Sequence, residues 1–234
     1  MSFLRIVSLS DDETAGSKLF NEHGICLYIE HGDNRILFGT GASALFSSNA
    51  ERLGIPTDKS DTVILPLNSD DITGGVETAV RKNKDLRIFI REDAATDCAK
   101  KEKLLRVRNG LPQSFYKSDK YNIFLFERFT EICKDFYLVA VDKKEKSAET
   151  DRHYYIKKKG FYVADDFSEE CFAVCFPKRR RDGFVILTGG AYTGIAGIVN
   201  TAKRLWNAPV LSVVGCFGYT NQSGKLISSQ GNIT

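Results

Sequence analysis

The stretch Thr62-Val-Ile-Leu-Pro-Leu-Asn-Ser-Asp-Asp-Ile-Thr-Gly-Gly75 carries a short apolar run through a polar loop into a helix. Residues 62–65 are β-branched or aliphatic and end at a proline, the pattern of a buried strand. Residues 71–81 follow at helical spacing, opened by Thr73-Gly74-Gly75. Between them, Asp70-Asp71 reads either as an acid pair for general acid–base work or as a helix cap. The cap is the stronger reading, because Ser69 or Asp70 would accept backbone N–H bonds and negative charge suits a helix N-terminus. The glycines serve a tight strand-to-helix turn. Neither they nor Thr188-Gly189-Gly190 match a phosphate-binding loop.

On the N-terminal side, residues 3–7, 25–29 and 35–38 are apolar runs separated by polar, glycine-containing turns, which predicts an antiparallel meander. A helix over 42–53 follows, with Ala42, Leu45, Phe46, Ala50 and Leu53 at helical spacing and Gly54 as its stop. On the C-terminal side the pattern gives a strand at 86–90 and a short helix at 94–103. Strands at 122–126, 136–141, 154–156 and 161–164 come next, with charged loops between them. The early order then recurs as a hairpin at 171–176 and 184–187, a helix bearing Ile195, Ile198, Val199, Ala202 and Leu205, and a strand at 210–214. Strands followed by alternating helix and strand, twice over, predict a two-sheet core with helices outside. The expectation is one domain, 1–234, with halves of about 1–120 and 121–220 and a polar tail over 221–234.

Composition narrows the class. At 42% hydrophobic and 27% charged residues the chain is globular, not disordered. A formal charge of +3, spread along the sequence, gives no independent argument for nucleic acid. No apolar stretch reaches membrane-spanning length, and the N-terminus lacks the features of a secretory leader. The six cysteines form no Cys-x-x-Cys pair and sit mostly in apolar, strand-like contexts. They read as reduced, buried thiols of a cytoplasmic protein. Cys171 and Cys175, four apart on a strand, should share one face.

Four stretches, in order, resemble the metallo-β-lactamase superfamily, and within it the dihydropterin-aminobenzene-phosphate synthase-like branch of metal-dependent hydrolases. They are Glu22-His-Gly-Ile-Cys-Leu-Tyr-Ile-Glu30; Ile36-Leu-Phe-Gly-Thr-Gly41 with Asn49-Ala-Glu-Arg-Leu-Gly-Ile55; the stretch 62–75; and Asp165-Asp-Phe-Ser-Glu-Glu-Cys171 leading to Leu187-Thr-Gly-Gly-Ala-Tyr-Thr-Gly-Ile195. The resemblance spans roughly residues 5 to 220. It implies an α/β (α+β) fold, a four-layer αββα sandwich, and a one- or two-metal hydrolytic centre at the sheet edge. Family members continue to a further Thr-His-Cys segment that has no counterpart here, so the C-terminal part is expected to be shortened.

Such a centre needs imidazole and carboxylate lone pairs, and its metal lowers the pKa of a bound water to supply hydroxide. The family writes Ser-His-x-His-x-Asp-His-Thr-Gly-Gly where this chain has 66–75. Its histidines fall on Leu67, Ser69 and Ile72, and its Asp is kept as Asp71. The Asp of its Leu-Phe-Asp-Thr-Gly is Gly39, and two later His positions fall on Tyr192 and Gly218. Leu and Ile carry no donor atom. His23, His31 and His153 lie elsewhere in the sequence and read as surface or packing residues.

The resemblance therefore implies a catalytically inactive relative, a binding, scaffold or interaction domain with no metal and no other cofactor. Its ligand-binding candidates are Ser69, Asp71, Thr73 and Tyr192, which outline a vestigial pocket. One rival is a hydrolase working around Asp71 with Ser69 or Tyr192. Another is phosphate or nucleic-acid binding by the turn Lys178-Arg179-Arg180-Arg181, for which a solvated hairpin tip is the plainer account. The expected partners are a second copy of the chain, covering an edge left bare at the C-terminal end, and an unidentified small molecule or protein. Neither a membrane nor nucleic acid is expected.

Overall fold

The computed structural model describes residues 4–13, 18–142, 144 and 153–217. The meander forms as β1 (Leu4–Ser10), β2 (Cys26–His31) and β3 (Asn34–Phe38). After α1 (Leu45–Leu53) the chain enters β4 (Thr62–Leu65), which lies parallel to β3. Two short helices, α2 (Asp70–Thr73) and α3 (Val76–Lys82), lead to β5 (Arg87–Arg91). A hairpin of β6 (Cys98–Glu102) and β7 (Leu105–Asn109) and the turn α4 (Gln113–Tyr116) then intervene. The chain returns to the first sheet as β8 (Asn122–Phe126). The second half supplies β9 (Phe129–Cys133), β10 (Phe136–Ala140), the hairpin β11 (Tyr154–Lys158) and β12 (Phe161–Ala164), then β13 (Cys171–Cys175), β14 (Phe184–Thr188), α5 (Ile195–Leu205) and β15 (Val210–Gly215).

These strands make three sheets, ordered β1-β2-β3-β4-β5-β8, β15-β14-β13-β10-β9 and β12-β11-β6-β7. Period-two alternation puts the first two face to face. Leu27 and Ile29 of β2 meet Phe136 and Leu138 of β10 in a single core between the sheets. The intervening Cys26 and Tyr28 pack outward with Phe46 and Ala50 of α1 and Val76 and Ala79 of α3. On the other side, Tyr137 and Val139 pack outward with Ile195, Ile198 and Ala202 of α5. Burying one such Phe, Leu or Ile contributes about 1.5–3 kcal/mol, and three such layers together define the αββα sandwich. Cys171 and Cys175 do share a face, the one turned into the inter-sheet core. Among the described residues no helix is long and apolar enough to cross a membrane.

Two expectations change. Residues 98–102, expected within a helix, form a strand, because β6 finds hydrogen-bonding ladders on both sides, in β7 and β11. Pairing of this kind overrides weak local preference. The helix expected over 71–81 is broken into α2 and α3 at Gly74-Gly75. A Cβ on Gly74 would lie 2.0 Å from the Ala42 carbonyl oxygen, and one on Gly75 2.3 Å from that of Thr40. The glycines thus let the loop 40–43 press against the helix pair.

Candidate functional site

The loop leaving β4 carries the positions at which the resemblance places metal ligands. Leu67 and Ile72 are 2% and 1% exposed and belong to the inter-sheet core. Ser69 donates its hydroxyl hydrogen to the Asp71 carboxylate, and Thr73 Oγ1 donates to the Ser69 carbonyl at 2.9 Å. No side chain caps α2, which corrects the expected cap. Asp70 instead accepts the Gly110 backbone N–H at 2.8 Å and pairs with Lys100 at 3.4 Å. Asn68, 1% exposed, accepts from the Leu111 N–H at 2.7 Å and donates to the Ala94 carbonyl at 3.0 Å. Asn68 and Asp70 thereby tether the loop to the segments flanking the small sheet.

Across from Asp71 stands a cluster of aromatic rings. Tyr192 stacks on Phe167 with centroids 4.5 Å apart and meets the edge of Tyr154 at 5.7 Å. Burial, and after it the Asp71 charge, pushes the Tyr192 hydroxyl well above its ordinary pKa. The turn bearing Tyr192 is held by Glu170, itself 1% exposed. The Glu170 carboxylate accepts N–H bonds from Tyr192 at 3.0 Å and Thr193 at 2.7 Å, and the Thr193 hydroxyl at 2.6 Å. Phe167, and Ala191 just before Tyr192, adopt left-handed φ values of 48° and 50°, a backbone region that non-glycine residues seldom occupy.

His23, half-exposed, lies with Nε2 4.0 Å from Asp71 Oδ2 and Nδ1 2.9 Å from Asp12 Oδ1. Gly39 takes φ 71°, and a Cβ there would sit 2.3 Å from the Ile25 carbonyl oxygen, so this position accepts no ligating side chain as the backbone stands. Gly218 lies outside the described residues. Two positions without donor atoms, one glycine and one stacked tyrosine leave Asp71 as the one carboxylate among the described family ligand positions. The residues present do not fit the superfamily's hydrolytic metal.

Of the four sequence-derived candidates, the fold brings Ser69, Asp71 and Tyr192 together, with His23 beside them. Thr73 faces elsewhere and lines a cleft of about 480 Å³ with Asp70, Glu77, Arg108, Phe115 and Tyr121. In the basic turn, Arg180 donates to Asp135 at 2.7 Å and lies over the rings of Tyr137 and Phe176. Lys178, Arg179 and Arg181 are exposed. His31 is a packing residue, 2% exposed and edge-on to Phe136. Sequence reasoning missed Asn68 and Glu170. The available signal was an acid at the mouth of the apolar run Cys171-Phe-Ala-Val-Cys175, where an unpaired charge would be costly.

No protein-family model matches the sequence. Over 224 residues, 95% of this chain and 83% of its relative, the sequence is 22% identical to the uncharacterized protein MJ0448 of Methanocaldococcus jannaschii. Among solved structures it is similar to Tm1679, a metal-dependent hydrolase of the β-lactamase superfamily, with a TM-score of 0.76 and 24% identity over 94% of this chain and 80% of that one. An N-acyl homoserine lactone hydrolase with N-hexanoyl-L-homoserine at its catalytic metal centre aligns at a TM-score of 0.52 and 12% identity, over 91% and 92% of the two chains. The fold is that of the metallo-β-lactamase superfamily.

Proposed function

We propose that this chain keeps the metallo-β-lactamase fold without its metal-dependent hydrolysis and serves as a binding or interaction domain. The observation that carries this reading is the filling of the ligand positions by packed side chains. Leu67 and Ile72 belong to the inter-sheet core, and Tyr192 is stacked on Phe167 beside Asp71. A hydrolytic zinc or iron site keeps three or more N and O donors and an open coordination position, and here one carboxylate and a hydrogen-bonded serine remain. The cleft beside α2, lined by Arg108 together with Asp70 and Glu77, is the adjacent concavity that a small polar ligand would occupy.

One observation favours a second reading. His23, Asp71 and Ser69 are linked in turn by a 4.0 Å contact and a hydrogen bond, an arrangement capable of metal-free acid–base chemistry. The two readings separate in one experiment. The chain is assayed in chelator, and again with zinc, iron or manganese, against chromogenic lactone, phosphodiester and thioester substrates, alongside Asp71→Asn, and the second reading expects its turnover in chelator. The first reading expects background turnover in both proteins. Turnover above background that Asp71→Asn abolishes would sink it in favour of the second.

A further inference from the structure

A separate polar cluster adjoins Asn68 on the side of the small sheet. Cys98 opens β6, Asp165 follows β12 and Glu169 precedes β13, and the three are 2%, 3% and 2% exposed. The Cys98 sulfur and one carboxylate oxygen from each acid lie within 4.8 Å of one another. Oε2 of Glu169 is buried with no hydrogen-bond partner, and so is the hydroxyl of Tyr116. An unsatisfied buried oxygen costs about 1–3 kcal/mol, and the neighbouring charges that bear on Glu169 are the acids Asp165, Glu170 and Asp166. Burial, followed by these acids, pushes the Glu169 carboxyl up, and the Cys98 thiol rises through burial and then the charges of Glu169, Asp165 and Asp97. Three acidic groups converging in the buried interior around an unpartnered oxygen form an arrangement that a cation would complete.

We propose that Cys98, Asp165 and Glu169 bind one divalent cation of the zinc class, at a place distinct from the fold's hydrolytic centre. The donor set selects the metal. One thiolate with two carboxylate oxygens suits zinc and its chemical neighbours, whereas magnesium and calcium take oxygen ligands. Zinc bonds of about 2.0–2.3 Å place tetrahedral ligand atoms about 3.3–3.8 Å apart, so the three side chains need close in by only about 1 Å. The hydroxyl of Tyr116, whose pKa is raised by burial and then by the charges of Cys98 and Glu169, stands by to hydrogen-bond a water in the fourth position. The ligands come from the small sheet, the end of β12 and the start of β13. Their cation would staple the small sheet to the sandwich, with a structural rather than hydrolytic role. Binding releases the thiol proton, and any carboxyl proton, to solvent.

The test uses the full chain, stripped with chelator and titrated with Co²⁺ as a spectroscopic stand-in for Zn²⁺. The expected result is one equivalent bound, a thiolate-to-cobalt charge-transfer band in the near ultraviolet, and loss of that band when zinc is added. Cys98→Ser should abolish the band, and the isosteric Glu169→Gln should weaken binding at least about tenfold. Asp71→Asn should leave both band and affinity unchanged. Circular dichroism checks that each variant is folded, and if Cys98→Ser is not, Glu169→Gln decides the same question through affinity. Absence of the band in the parent chain overturns the proposal, as does full affinity in Glu169→Gln. Loss of the metal in Asp71→Asn would overturn it too, placing the cation at the superfamily's position and thereby also challenging the proposed function.

Discussion

At Glu170 a single buried carboxylate receives two backbone N–H groups and a hydroxyl. Charge-assisted bonds of this kind are about twice as strong as neutral ones, and removing the acceptor strands the donors in a low-dielectric interior. Glu170→Ala should therefore cost roughly 2–4 kcal/mol of folding stability in urea denaturation, and Glu170→Gln distinctly less because one acceptor oxygen survives. Equal losses in the two variants would show that the charge is irrelevant. Cys133 illustrates the same low-dielectric logic in reactivity. Burial, then the Asp61 charge, raises its thiol from an ordinary 9.0 to about 11. The thiolate is the nucleophile, so the reactive fraction is small at neutral pH and grows with pH until about 11. Alkylation of Cys133 in the native protein, followed by mass spectrometry, should accelerate about tenfold per pH unit from pH 7 to 10. A plateau near pH 9 would show that the thiol titrates as an ordinary one.

Individual elements separate what could be read from the sequence and what could not. At Leu67 and Ile72 the chemistry needs no coordinates, because a side chain without lone pairs offers a metal nothing whatever its surroundings, and both pack into the inter-sheet core. The continuous apolar run Cys171–Cys175 was legible as a strand, with Cys171 and Cys175 on one face. Residues 98–102 were not, since the sequence Cys-Ala-Lys-Lys-Glu has no β pattern and becomes a strand only through partners at 105–109 and 154–156. The clamp at Glu170 and the stack of Tyr192 on Phe167 escaped for a related reason, because contacts across 22 and 25 residues leave no periodic trace. The loop from Pro66 to Gly75 also bears on engineering. Restoring histidines at its ligand positions by Leu67→His with Ile72→His buries two imidazoles in an apolar layer. The double variant should lose at least about 3 kcal/mol by urea denaturation. It should also gain no tight metal site, because Gly39 and Tyr192 still withhold ligands. A cobalt spectrum showing a new nitrogen-rich tetrahedral site in that variant would refute this.

Among the described residues the two large sheets end at β1 and β8 and at β15 and β9, and β8 runs into β9 across only Glu127 and Arg128. An edge strand offers unpaired N–H and C=O groups to any chain that can extend the sheet. At β8 and β9 that offer coincides with apolar surface, since Phe124, Leu125 and Phe129 are 41%, 49% and 49% exposed. Glu127 and Arg128 lie in the link between the two edge strands. The sequence pointed to a bare edge at the C-terminal end of the second sheet, where Leu211 of β15 is 52% exposed. Three large apolar side chains are exposed on β8 and β9 and one on β15. Exposed apolar side chains beside an unpaired edge mark an association surface, and a symmetric pair of copies buries the same edge twice. Light scattering at micromolar concentration should then give twice the chain mass. Leu125→Lys with Phe129→Lys should shift the species to single mass while changing unfolding stability by no more than about 1 kcal/mol, since both side chains are half outside the core. A parent chain of single mass would remove the dimer. A double mass unchanged by these substitutions but lost in Leu211→Lys would move the interface to β15.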